Sequence, residues 1–69
     1  MIQSNNTVKD RNGVDTQVGD GVYYLRGSMA GDGYYETFAV VEDIQVRKRM
    51  IRTDAGDHLH WHEFWQEQL

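Results

Sequence analysis

The run His58-Leu59-His60-Trp61-His62 has the residue types and spacing that most directly suggest chemistry, because imidazole is a metal ligand and a proton carrier. On a strand all three rings share one face. At ~3.4 Å rise per residue, however, His58 and His62 stand about 13–14 Å apart, so one ion meets only neighbours two residues apart. A helical turn brings His58 and His62 together and leaves His60 aside. Either geometry gives two ligands and needs a third from Asp57, Glu63 or elsewhere. The plainer reading is a solvent-facing row opposite buried Leu59 and Trp61, so no metal and no cofactor is expected.

Two further groups suit recognition rather than reaction. Arg47-Lys48-Arg49, with Arg52 nearby, forms the basic segment of a chain that carries 11 acids against 7 bases in all. Tyr23-Tyr24 and Tyr34-Tyr35 are adjacent pairs, and on strands neighbours point to opposite faces, so one tyrosine of each pair is left to face outward. Tyr23, Tyr35, Arg47, Lys48 and Arg49 are therefore the expected binding residues. Catalysis has less to work with. The glycine-rich segment 27–33 is followed by no Lys-Ser/Thr, Ser28 has no histidine and acid at a recognisable spacing, and Glu42-Asp43 reads as a strand end. A chain of 69 residues leaves little room to enclose a substrate. The chain reads as a non-catalytic module.

The elements that must position these residues are strands. Val18 to Arg26 is read as the first, with Val18, Val22 and Tyr24 on one face and Tyr23 and Leu25 on the other. A glycine loop follows, with Asp32-Gly33 as its turn. Tyr34 to Val46 is a long strand whose even face carries Tyr34, Phe38, Val40, Ile44 and Val46, and whose odd face carries Tyr35, Ala39 and Val41. Apolar residues on both faces of so long a strand imply a bend or a bulge. A third strand spans about Arg49 to Asp54, and Ala55-Gly56-Asp57 reverses the chain into Leu59 and Trp61. Trp61, Phe64, Trp65 and Leu69 recur at intervals of three or four, which predicts a short C-terminal helical segment after about His62. Trp61 and Phe38 are the expected anchors of the core.

Sixty-nine residues without cysteine make one small domain with no disulfide, supported by the packing of eight aromatic side chains as a monomer or by self-association as a homodimer. Residues 1–16, polar and thin in apolar side chains, are read as a flexible arm, and 17–69 as the folded domain. Val8 and Val14 pairing around an Asn12-Gly13 turn is the alternative. No apolar run is long enough to span a bilayer and the N-terminus has no signal-peptide pattern, so a soluble, cytoplasmic protein is expected. The net charge of −4 disfavours indiscriminate binding to nucleic acid.

Val18-Gly19-Asp20-Gly21-Val22-Tyr23-Tyr24-Leu25-Arg26-Gly27, followed by Phe38-Ala39-Val40-Val41-Glu42-Asp43-Ile44, resembles the KOW and Tudor-like branch of SH3-like barrels over about half the chain. It departs from the KOW pattern at Phe38, where a glycine is usual. The resemblance implies a mainly β, SH3-like barrel of about four to five strands. Its members bind RNA, ribosomal components, transcription machinery or, among SH3 relatives, peptides. A short acidic chain is also similar in style to the accessory proteins of bacteriophages and mobile elements, which often bind a host protein. A protein partner is the first expectation, KOW-like RNA or DNA binding the second, and a histidine metal site the third.

Overall fold

The structure is a computed structural model that describes residues 6–28, 31 and 33–66. It is mainly β. A two-stranded hairpin, β1 (Val8–Lys9) with β2 (Asp15–Thr16), stands beside a five-stranded antiparallel sheet. That sheet comprises β3 (Gly21–Gly27), β4 (Tyr34–Gln45), β5 (Met50–Thr53), β6 (His58–His60) and β7 (Phe64–Trp65). The spatial order is β6-β5-β4-β3-β7, so the chain meanders from β3 to β6 and its last strand returns to the far side of β3. The sheet curls into a half-barrel around its apolar face.

The curl follows from the side chains and from one irregularity. Val22 and Tyr24 of β3, Ala39 and Val41 of β4, Ile51 of β5, Leu59 of β6 and Phe64 of β7 all point inward and form the core, with Val8 of β1. In β4 the register shifts between Val41 and Asp43, so Val41 faces Thr53 while Ile44 faces Ile51. The extra residue turns the inward face from odd to even numbers. Ile44 thereby packs on the core, although Tyr34, Phe38 and Val40 of the same even set lie outside. The long strand thus carries the irregularity its two apolar faces imply.

The faces themselves fall differently from the sequence expectation. Phe38 is 57% exposed and Trp61 40% exposed, so neither anchors the core. Phe38 pairs with Tyr23 on the outer surface, and Trp61 opens a 3-10 turn, Trp61–Glu63, as the chain leaves β6. Val18 is exposed as well, because the strand begins only at Gly21. Gln17 to Asp20 form a turn closed by Asp20 N–H on the Gln17 carbonyl, with Gly19 at φ 97°. Instead of the expected C-terminal helix, the described residues show that 3-10 turn followed by β7. Phe64 faces in and Trp65 out, the alternation of a strand. Leu69, also assigned to the helix, lies outside the described residues, as does Asp32 of the Asp32-Gly33 turn.

The segment read as an arm is structured where it is described. Val8 faces Thr16 and Lys9 faces Asp15, around Asn12 and Gly13 (φ 80°). Asp10 explains how so few apolar residues suffice. Its carboxylate is buried, with Oδ1 accepting the Asn12 and Val14 N–H groups at 2.9 and 2.8 Å and Oδ2 accepting Gln66 N–H at 2.9 Å. Gln66 Nε2 donates to the Asp15 carbonyl and to Thr16 Oγ1, while Arg11 N–H donates to the Phe64 carbonyl. The hairpin is thus fastened to the end of β7 by polar groups. Among the described residues no helix is long and apolar enough to cross a membrane.

Candidate functional site

The outer surface of β7, β3 and β4 carries a row of rings in cross-strand register. Trp65 faces Tyr23, and Tyr23 faces Phe38. The Tyr23 and Trp65 rings are stacked with centroids 6.3 Å apart, and the Tyr23 and Phe38 rings are tilted by 58° at 5.0 Å. Arg11 from the β1–β2 hairpin places its guanidinium 4.0 Å from the centroid of the Trp65 ring, close enough for a cation–π contact. Gly21 makes the row possible. A Cβ there would collide with Cζ of Phe38 and come within 2.7 Å of Cε1, so only glycine lets the ring lie against the β3 backbone.

The row continues into a projecting ribbon. Beyond Tyr24, β3 has no neighbour in β7, and before Val41, β4 has no neighbour in β5. Leu25–Gly27 and Tyr34–Glu36 therefore pair only with each other among the described residues. Leu25 and Tyr34, 53% and 77% exposed, share the outer face with Phe38. With Arg11, His62, Glu63 and Trp65 they line a shallow cleft of about 250 Å³. The result is an open apolar surface with a cation at one end and Glu36 and Glu63 beside it.

The inner side of the same strands holds a polar cluster. The Tyr24 hydroxyl donates to Asp57 Oδ2 at 2.6 Å and lies 3.3 Å from Thr53 Oγ1; Arg26 reaches the same Asp57 oxygen at 3.3 Å. Burial, followed by the hydrogen bond to the Asp57 carboxylate, raises the Tyr24 hydroxyl above its ordinary value of 10.0. The cluster ties the β5–β6 turn to β3. Thr37 Oγ1, across from Tyr24, is buried and has no hydrogen-bond partner among the described residues.

Of the five residues expected to bind, the structure puts only Tyr23 on the aromatic row. Tyr35 faces Arg26 on the opposite side of the sheet. Arg47, Lys48 and Arg49 form the β4–β5 turn, nearly the length of β4 away from the Tyr35 end. The histidines stay outside: His58 and His60 are exposed on β6, and the His60 and His62 rings stack with centroids 5.9 Å apart. Among the described residues no three His, Cys, Asp or Glu side chains are grouped to hold a metal ion. Phe38, Trp65 and Arg11 belong to the row without having been expected there. The available signal was Gly21, a glycine inside an apolar strand that admits a ring from the neighbouring strand. Comparison with protein-family models, curated proteins and solved structures gives no match to this chain.

Proposed function

We propose that the protein is a non-catalytic binding module that engages a protein partner through the outer aromatic face. The observation that carries this reading is the register of Trp65, Tyr23 and Phe38, flanked by exposed Leu25 and Tyr34. Aromatic side chains clustered on an open surface, with an arginine among them, have the composition of interface anchors. A contiguous exposed apolar surface rimmed by charged groups is a mark of interaction sites. The fold in this proposal is a small SH3-like barrel. In its support, the sheet is a meander whose last strand, after a 3-10 turn, comes back to its first.

KOW-like nucleic-acid binding is the second reading, favoured by the stacked Trp65 and Tyr23 rings beside Arg11, an arrangement suited to unpaired bases. Glu36, Glu63 and the net charge of −4 weigh against it. One experiment separates the two. Tagged protein is used to capture partners from a cell extract, with and without nuclease, alongside Tyr23→Ala and Phe38→Ser. Protein recognition predicts a partner that survives nuclease and is retained roughly 5- to 30-fold less by either variant, as truncating an anchor costs about 1–2 kcal/mol. Loss on nuclease treatment supports the second reading. Undiminished capture by both folded variants removes the aromatic face from consideration.

A further inference from the structure

We propose that the cleft between the β1–β2 hairpin and the β4–β5 turn binds a small anion with a flat apolar body. The cleft measures about 560 Å³ and is walled by Val8, Lys9, Arg11, Val46, Arg49 and Trp61, among others. That volume is in the range of small-molecule sites, roughly 300–1,000 Å³. It lies apart from the Tyr23–Phe38 row, and among the described residues only Arg11 borders both clefts.

The lining defines the ligand. Val46 and Trp61 are two of the large apolar side chains that the fold leaves open, and both border this cleft. They offer an indole and a branched aliphatic wall to a flat apolar group. The charge balance selects the sign. Lys9 is already paired with Asp15 at 2.8 Å. Both oxygens of Asp10 are occupied by backbone N–H groups, so this carboxylate is not presented to a ligand. Arg49 makes no ion pair among the described residues, and it leaves the cleft cationic even with the Arg11 guanidinium engaged by the Trp65 ring.

Backbone geometry adds an independent reason to single out Arg49. It is the described non-glycine residue with a left-handed backbone, at φ 55°. Two hydrogen bonds hold it there: its N–H donates to the Val46 carbonyl at 3.2 Å, and its carbonyl accepts Trp61 N–H at 2.8 Å. The strained turn therefore joins the cationic residue directly to both apolar walls. Glycine would make this turn without strain, so what arginine adds is its guanidinium.

The test uses 2-naphthoate, its neutral analogue 2-naphthalenemethanol, and inorganic phosphate as probes, read by amide and indole shifts in NMR titrations. The expected result is saturable naphthoate binding with Kd below about 1 mM, mapped to Val46, Arg49 and Trp61. The alcohol and phosphate should each bind about tenfold more weakly, as expected when a charge-assisted contact or an apolar contact is lost. Arg49→Gly relieves the backbone strain, so it should fold at least as well as the parent while losing about tenfold in naphthoate affinity. Absence of saturable shifts would overturn the proposal. So would equal binding of the alcohol, shifts confined to Tyr23, Phe38 and Trp65, or parental naphthoate affinity in folded Arg49→Gly.

Discussion

The β1–β2 hairpin and the projecting end of β3–β4 reverse what their compositions suggest. Between Thr7 and Thr16 there are two valines and no aromatic residue, yet the segment is held against the sheet, with Val8, Asp10 and Thr16 buried. Leu25–Gly27 and Tyr34–Glu36 carry two tyrosines and a leucine, yet stand in solvent. What separates them is not the apolar content but the availability of something to pack on. The hairpin brings a carboxylate that meets three N–H groups, one of them from Gln66. The ribbon has outrun β5 and β7, so apart from Arg26, which reaches Asp57, its side chains have little to pack on. Its exposed surface is the residue of a sheet whose neighbours are too short to cover it.

The largest expected effect tests whether the closed region depends on its core. Phe64→Ala removes a fully buried ring and should cost about 3–5 kcal/mol, enough to unfold so small a domain, as urea titration would show. A loss under about 1 kcal/mol would place the core elsewhere. Asp10→Ala comes next, at about 2–3 kcal/mol, because the N–H groups of Asn12, Val14 and Gln66 lose their acceptor and water replaces it incompletely. Amide hydrogen exchange at those three positions should accelerate. Unchanged protection would mean the hairpin holds without its carboxylate.

Tyr24→Phe is expected to cost about 1 kcal/mol at neutral pH, through loss of the 2.6 Å bond to Asp57. The Tyr24 hydroxyl is raised in the folded protein, so its contribution is complete below its unfolded value of 10.0 and is lost as pH rises through the folded value. Denaturant midpoints of parent and variant should therefore draw together on the alkaline side of pH 10, and a constant gap would contradict the assignment. Smallest of all, Tyr34→Ser on the ribbon should change stability by no more than about 0.5 kcal/mol, since its side chain is largely solvated. Its effect belongs in the capture experiment. A large loss of stability would show that the ribbon is packed after all.

The spans of β4, β5 and β6 were legible because glycines and charged turns bound them, as with β4 at Tyr34 and the Ala55-Gly56-Asp57 reversal before β6, whereas β1, β2 and β7 were not. The faces were harder to read. On an unbroken β4 the even residues form the more apolar side, and Phe38 joins that side; one register shift at Val41/Asp43 gives the interior to Ala39 and Val41 first and to Ile44 afterwards. A sequence shows that a bulge is needed without fixing where it falls. The spacing of Trp61, Phe64 and Trp65 fits a helix by count, but residues 64 and 65 find open hydrogen-bonding partners on β3, and pairing decides their conformation. Asp10 was invisible for a different reason. A carboxylate in a polar segment reads as solvated until Gln66, 56 residues away, is brought beside it. For the candidate site, Tyr23 could be found from strand alternation, whereas Phe38, Trp65 and Arg11 needed the register.

The bond between Asp10 and Gln66 also sets an order of events. Contacts that join residues far apart along a chain must wait for the loop between them to close, and they slow folding accordingly. The β3–β4–β5–β6 meander needs only neighbours in sequence and can form first. The β1–β2 hairpin cannot take up its final place until β7 has returned to β3 and delivered the Gln66 N–H. During synthesis the hairpin is made before the sheet, yet it is thus among the last elements to dock. Until then Val8 and the inner side of Phe64 lack part of the cover they have in the folded protein.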